Sequence, residues 1–233
     1  VNALARANKS DIDRAYEAIK YAPKKRIHTF LATSDIHMKY KLKMSEEEVL
    51  KKATEMVAYA KALVDNVEFS PEDGSRTRRE FLYKVLENVI DAGATVVNIP
   101  DTVGYSTPNE FGKLIKDIKE NVPNISKAKI SVHCHNDIGM AVANSIMAVE
   151  AGAIHIQGTF IGVGERCGNT NLSTLIPTIA LKMGCKLRVN EHLQDLTSKA
   201  RHIAEISNIQ LEDSTPYIGK SAFAHKGGMH IDA

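Results

Sequence analysis

The sequence predicts an α/β fold in which parallel β-strands alternate with amphipathic helices. β-rich apolar runs recur roughly every 30–40 residues, and the stretches between them carry apolar residues at helical spacing. The chain has 233 residues, of which 43% are hydrophobic and 25% charged, so it is long enough for one domain with a buried core. Length and rhythm together favour a single barrel of parallel strands enclosed by helices.

Six runs carry the strand pattern, and the first of them is the weakest. They are Ala3–Arg6, Arg26–Ala32, Val67–Ser70, Thr95–Pro100, Lys129–Cys134 and Ile154–Phe160. A closed TIM barrel has eight strands. We therefore expect an incomplete TIM barrel of about six strands.

Helix signals lie between the strands. The segment Glu46–Leu63 carries apolar residues near positions i, i+3, i+4 and i+7, which is typical of an amphipathic helix. Ser45 with Glu48, and Thr107 with Glu110, have the spacing of a capping box, which predicts a helix start at each pair.

The pattern changes after Gly184. A basic stretch follows this glycine, and a long helix is predicted over Glu191–Ser207. We therefore predict a barrel domain over residues 1–185 and the start of a helical linker subdomain over residues 186–233.

Composition argues against several functional classes. Thirty Lys and Arg face 28 Asp and Glu, which gives a net charge of +2 and no electrostatic footprint for nucleic acid. No apolar run reaches the ~18–20 residues of a membrane span, so we expect no membrane partner. The three cysteines form no CxxC pair, which argues against a disulfide framework and favours a reducing, cytoplasmic location.

The strongest chemical signal is the pair His133 and His135 at the end of a predicted strand. Side chains alternate along a strand, so both histidines project to one face and Cys134 projects to the other, where we expect it to be buried. Two imidazoles on one face can chelate a divalent metal. The alternative is a pair of histidines that are satisfied by hydrogen bonds.

The glycine-rich loop at 162–169 follows the last predicted strand. Its glycines allow a close backbone approach to a ligand, and Glu165, Arg166 and Asn169 supply a carboxylate, a cation and an amide oxygen. Two imidazoles, an amide oxygen and one further carboxylate would suit Mg, Mn or Zn. The alternative is an ordinary strand-to-helix turn.

Two further strand ends carry polar groups. Glu68, Ser70 and Glu72 alternate onto one face, where a row of carboxylates is costly unless a cation meets it; the alternative is a solvated acidic loop. Thr102, in an Asp-Thr-Val-Gly turn, has a hydroxyl that could bind a substrate carboxylate, although the motif taken alone is better explained as a simple turn. His230 in the tail is a spare imidazole that could act as a base.

These motifs, in this order, resemble the 2-isopropylmalate, homocitrate and citramalate synthase family, whose members are metal-dependent (β/α)8 barrels of the DRE-TIM metallolyase superfamily. The matching phrases are RIHTFLATSDIHMKYKL (26–42), VEFSPEDGSRT (67–77), NIPDTVGYSTPNEFG (98–112), HCHNDIGMAVANS (133–145) and GVGERCGN (162–169). The resemblance implies a Claisen-type condensation of acetyl-CoA with a 2-oxo acid, by a protein that is a homodimer in its full-length form.

The favoured acceptor is 3-methyl-2-oxobutanoate, which gives 2-isopropylmalate for leucine biosynthesis. Glu68 stands where homocitrate synthases carry an arginine for a second carboxylate, and this argues against 2-oxoglutarate. Pyruvate, the acceptor of citramalate synthases, is the alternative, and a cleavage enzyme of the superfamily is a third. A different class of interpretation is a non-catalytic fragment of such an enzyme.

The resemblance also implies roles for individual residues. It assigns metal binding to His133, His135 and Asn169, substrate binding to Glu68, Ser70 and Thr102, and catalysis to Glu72, Glu165 and His230. Of these, His230 resembles the base that removes the acetyl proton.

One family signature has no counterpart here. The family's first strand carries an Arg-Asp-Gly sequence, whose aspartate binds the metal and whose arginine polarises the oxo group. Residues 1–9 resemble the third strand of the family barrel instead. We therefore expect the 233-residue chain, taken alone, to be inactive.

Overall fold

The computed structural model describes residues 1–225 and Gly227. The chain divides into two compact units, Val1–Gln157 and Gly158–Ala233. This division reflects proximity in space, and the domain boundary predicted after residue 185 stays a prediction.

The first unit contains one parallel sheet of six strands in sequential order, curled into part of a barrel. The strands are β1 (Asn2–Arg6), β2 (Arg26–Ala32), β3 (Asn66–Glu72), β4 (Val96–Asp101), β5 (Lys129–Cys134) and β6 (His155–Gln157). The predicted incomplete TIM barrel of about six strands is confirmed.

Helices connect the strands and continue into the second unit. The α-helices are α1 (Lys9–Ile19), α2 (Glu46–Leu63), α3 (Arg79–Asp91), α4 (Pro108–Asn121), α5 (Ala141–Ala151), α6 (Leu172–Leu181) and α7 (Leu196–Ile206). Short 3-10 helices cover Gly74–Arg76, Ile125–Lys127, Phe160–Gly162 and Asn190–Asp195, and a π-helix covers His37–Leu42. No helix in the described part of the chain is both long and apolar enough to cross a lipid bilayer.

Two helices begin where the capping-box signals in the sequence predicted. At α2, Glu48 accepts a hydrogen bond from the Ser45 amide at 2.8 Å, and Ser45 Oγ accepts one from the Glu48 amide at 3.3 Å. The Glu110 carboxylate likewise accepts hydrogen bonds from the amide and hydroxyl of Thr107 at the start of α4. Both predicted capping boxes are therefore present.

Two predicted elements were too long. The last strand ends at Gln157 rather than Phe160, because the backbone turns at residues 160–162 and Ile161 takes a left-handed conformation with φ of 57°. The helix predicted over Glu191–Ser207 is α-helical only from Leu196, and the segment before it forms a 3-10 helix. That segment is rich in Asn, His and Asp, which are weak helix formers.

The two faces of the sheet differ in chemistry. The convex face packs against the helices and is mostly apolar, and Phe69, Val97, Ile99 and Val132 are fully buried on it. Cys134 is also fully buried on this face, as predicted. The concave face carries charged and hydroxyl-bearing side chains at alternate positions.

Replacing Ile99 by Ala should lower the free energy of unfolding by about 2–5 kcal/mol, because this fully buried side chain would leave a cavity between sheet and helices. The control is Ile154→Ala, since Ile154 is 70% exposed and its loss should change stability by less than about 0.5 kcal/mol. Urea unfolding measures both. Equal losses would contradict the packing described here.

Candidate active site

Strand alternation brings polar side chains from neighbouring strands onto the concave face. Glu68 and Ser70 lie two residues apart on β3, and Ser131 and His133 do so on β5. Asn98 occupies the corresponding inward position on β4, opposite Ser131 in the strand register. The carboxyl ends of barrel strands are where parallel α/β enzymes build their active sites.

His133 near the end of β5 and His135 just after it converge, as predicted. Their Nε2 atoms lie 3.0 Å apart, and the rings meet edge to face. Burial and the neighbouring His135 lower the pKa of His133 to about 4. His133 is therefore uncharged near neutral pH, which is the form of imidazole that binds metals.

This geometry fits a divalent metal. Ligand atoms about 2.1 Å from an octahedral ion stand about 3.0 Å apart in adjacent positions, which matches the separation of the Nε2 atoms of His133 and His135. Asn169 in the second unit has a buried Oδ1 with no hydrogen-bond partner among the described residues, and such an oxygen is a suitable ligand. No group of three His, Cys, Asp or Glu side chains within the described residues is arranged to hold a metal. Metal binding by these three residues stays a prediction.

Thr102 and Glu72 stand at neighbouring strand ends. The Asp73 amide donates a hydrogen bond to Thr102 Oγ1 at 2.9 Å, so the loop after β3 orients the threonine that follows β4. Lys41 Nζ lies 2.5 Å from Glu72 Oε1, which supplies the cation that the sequence argument required. Their predicted roles toward substrate stay predictions.

Asp73 stabilises the loop that follows β3. It adopts a left-handed conformation with φ of 63°, which is uncommon for a residue with a side chain. Arg76 donates hydrogen bonds to both carboxylate oxygens of the fully buried Asp73, at 2.7–3.1 Å. The strained loop that carries the hydrogen bond to Thr102 is thus held by an ion pair.

A second buried carboxylate anchors the next loop. Asp101 Oδ1 accepts hydrogen bonds from the hydroxyls of Ser75 at 2.8 Å and Ser106 at 2.9 Å. Its Oδ2 accepts one from the Ser106 amide at 3.1 Å. Thr102 follows Asp101 directly, so the anchored Asp101 restrains the loop that carries Thr102.

Glu68 is fully buried and is met by a guanidinium, an amide and an imidazole. Arg26 Nη1 donates to Glu68 Oε2 at 2.8 Å, Gln157 Nε2 donates to the other oxygen, and His28 Nδ1 lies 3.7 Å from that oxygen. Burial raises the pKa of Glu68, and Arg26 and Gln157 offset part of this effect. Contact of Glu68 with a substrate stays a prediction.

The sequence analysis did not single out the polar partners on the concave face. These partners are Arg26, His28, Asn98, Ser131 and Gln157. A signal was available in strand alternation, because each of these polar residues stands at an inward position of its strand.

The residues of the glycine-rich loop belong to the second unit. The Glu165 side chain is 82% exposed, and its carboxylate lies 3.6 Å from the Arg166 guanidinium. Gly164 is packed against the Asn169 side chain so closely that an added Cβ would lie 2.6 Å from Asn169 Oδ1. The roles predicted for Glu165 and Asn169 are untested, and His230 lies outside the described residues.

Comparisons with known proteins agree with this architecture. A family model described as HMGL-like matches residues 1–203. The chain is 54% identical to a 2-isopropylmalate synthase of Ruminiclostridium cellulolyticum over 99% of its own length and 46% of the relative's. It is 53% identical to one from Clostridium kluyveri, with 97% and 44% covered. The chain thus spans about half the length of the curated relatives it matches.

The fold has relatives among solved structures. An HMG-CoA lyase of Bacillus subtilis superposes with a TM-score of 0.70 at 21% identity, over 90% of this chain and 71% of the lyase. At that identity the likeness concerns the fold. Because the family model covers most of the sequence and the partial barrel agrees with it, this chain belongs to the HMGL-like family.

Proposed function

We propose that this chain supplies the strand-end site of an acyltransferase that condenses acetyl-CoA with a 2-oxo acid, most favourably 3-methyl-2-oxobutanoate, to give 2-isopropylmalate for leucine biosynthesis. The observation that carries the proposal is the convergence of His133 and His135 at the end of β5, with the Thr102 hydroxyl oriented at the end of the neighbouring strand β4, where barrel enzymes act. Similarity to proteins named 2-isopropylmalate synthase supports it.

His133, His135 and Asn169 would hold the metal, which is Mg, Mn or Zn. When bound, a divalent ion supplies Lewis-acid polarisation of the oxo group of the 2-oxo acid. Neutral imidazole and amide oxygen are ligands that these metals share, so the donor set does not choose among them.

The chain's own side chains bind substrate and move protons. The Thr102 hydroxyl, fixed by the Asp73 amide, binds the carboxylate of the 2-oxo acid. A base removes a proton from the acetyl methyl group, and the resulting carbanion forms a bond to the oxo carbon. The π pair of the C=O bond moves to the oxo oxygen, which takes a proton from the partner acid, and water then hydrolyses the thioester so that CoA leaves as the free thiol. Glu72, Glu165 and His230 are the candidates for this base and for its partner acid.

The charge of the acceptor's side chain is selected by Glu68 and Ser70, which form one wall of the proposed substrate site (the Glu68–Ser70 wall). A second carboxylate on the acceptor would approach the buried Glu68 anion, whose one close cation, Arg26, is already paired with it among the described residues. We therefore favour an acceptor with an alkyl group, and place pyruvate before 2-oxoglutarate among the alternatives.

We also propose that the whole protein is a homodimer and is located in the cytoplasm, where its free cysteines stay reduced.

A thiol-release assay tests the activity. The protein to use is a chimera in which this chain replaces the matching half of the Ruminiclostridium cellulolyticum relative. With acetyl-CoA, a divalent metal and a panel of 2-oxo acids, we expect CoA release to be fastest with 3-methyl-2-oxobutanoate. Faster release with pyruvate or 2-oxoglutarate would overturn the acceptor assignment, and no release with any acid would overturn the function.

Replacing His133 or His135 by Ala in the same chimera should weaken metal binding by ~10-fold or more, because a ligand is lost outright. His202→Ala is the matched control, since His202 is an exposed residue of α7. Titration with Mn2+ measures the affinities. Unchanged affinity in both active-site variants would contradict the metal assignment.

Cys134 should not take part in catalysis. Burial raises the pKa of its thiol, with a smaller effect from Asp101, so the thiol stays protonated and is a poor nucleophile. Cys134→Ala should leave turnover of the chimera within several-fold. A loss near ~1000-fold, equivalent to roughly 4 kcal/mol of activation free energy, would show that the thiol participates.

A further inference from the structure

A chain of hydrogen bonds crosses the concave face from β5 to β2. Ser131 Oγ donates to Asn98 Oδ1 at 2.8 Å, and Asn98 Nδ2 donates to Ser70 Oγ at 2.9 Å. Ser70 Oγ then lies 2.7 Å from His28 Nε2. All four residues are at least nine-tenths buried, so their polar groups form hydrogen bonds with one another rather than with bulk water.

The direction of the last hydrogen bond depends on which ring nitrogen of His28 carries the proton. Burial lowers the pKa of His28 to about 4, helped by the nearby His133, Arg26 and His155, so the ring is neutral at pH 7 and has one N–H. A proton on Nε2 would be donated to Ser70. A proton on Nδ1 would leave Nε2 as an acceptor for the Ser70 hydroxyl.

Glu68 decides between the two tautomers. Its Oε1 lies 3.7 Å from His28 Nδ1. Its other described partners, Arg26 and Gln157, both donate to it, which is the environment of an ionised carboxylate. A bare Nδ1 would set a lone pair against this anion in a region of low dielectric, whereas an Nδ1–H would be attracted to it.

We propose that Glu68 is a positioning residue, which holds His28 in the Nδ1-protonated tautomer and thereby makes the Ser70 hydroxyl donate to His28 Nε2. Every donor along the chain then points the same way, from Ser131 through Asn98 and Ser70 to His28. Beyond the last hydrogen bond, His28 Nδ1 faces the Glu68 carboxylate at 3.7 Å.

The inference has a consequence for substrate choice, which rests on the proposed function. The Ser70 proton is committed to His28, so Ser70 cannot donate it to an oxygen of the acceptor. A polar or charged substituent at this wall would lose its hydration without gaining that hydrogen bond. An uncharged alkyl group is therefore the substituent that this wall accepts best.

Nitrogen-15 NMR of the imidazole groups tests the tautomer directly in the 233-residue chain at pH 7. Long-range proton–nitrogen correlations distinguish a protonated ring nitrogen from a bare one, and loss of signals in His28→Phe identifies His28. We expect a protonated Nδ1 and a bare Nε2. An Nε2-protonated ring in the unmodified chain would overturn the proposal without any variant.

Two replacements separate the effect of Glu68 from a general loss of charge. Glu68→Met removes the anion and should shift His28 toward the Nε2-protonated tautomer, which predominates for histidine in water. Glu72→Gln removes a carboxylate from the same strand and should leave His28 unchanged, and exposed His202 serves as an internal reference in each spectrum. An unchanged His28 in Glu68→Met would overturn the role of Glu68.

If Glu68→Met does not fold, the double variant Arg26→Met/Glu68→Met removes both charges together and gives the same test. These spectra do not depend on catalysis. An inactive chimera with an Nδ1-protonated His28 would therefore refute the proposed function while leaving the role of Glu68 intact.

Discussion

The polar interior of the first unit depends on the carboxylate of Glu68, which is fully buried and must be met by donors. Arg26 supplies a guanidinium from β2, and Gln157 supplies an amide from β6. The three side chains therefore connect strands that are far apart in the sheet order. The same carboxylate faces His28, which leads through Ser70 to the rest of the concave face. Without this anion, Arg26 would lose its ion pair and keep its hydrogen bond to Asn66, and His28 Nδ1 would lose the carboxylate that faces it at 3.7 Å.

Burying the Arg26–Glu68 ion pair costs folding free energy, and this cost suggests that the pair serves a role other than stability. Burial raises the pKa of Glu68 in spite of Arg26 and Gln157, so the ionised form is less favourable in the folded chain than in water. A carboxyl group with a raised pKa makes the fold less stable as pH rises past its ordinary value. Replacing buried ion pairs by apolar residues is often neutral or stabilising in proteins. A pair that does not increase stability is better explained by the orientation it imposes on its neighbours, and here those neighbours line the candidate active site.

The sequence predicted interactions between residues close together in the chain better than interactions between distant residues. The capping boxes at Ser45 and Thr107 and the convergence of His133 with His135 are local, so spacing alone predicted them. Burial of Cys134 followed from alternation along β5. The partner of Glu68 could not be predicted in this way, because Arg26 lies 42 residues earlier and meets it only through the register of β2 with β3. The hydrogen bond between the Asp73 amide and Thr102 likewise joins the ends of two strands that are 29 residues apart, so the Asp-Gly turn signal at Asp73 could indicate a turn but not this partner.

The most direct test of this account is a double-mutant cycle on Arg26 and Glu68, measured by urea unfolding of the chain. Arg26→Met should lower the free energy of unfolding by about 3–5 kcal/mol, because it leaves the fully buried Glu68 carboxylate without its cation. Glu68→Met should lower it by less, because the Arg26 side chain is 22% exposed and keeps its hydrogen bond to Asn66. The double variant should be far more stable than the sum of these losses implies, and close to the unmodified chain. Additive losses in the double variant would mean that the two charges do not depend on each other, and would contradict the account.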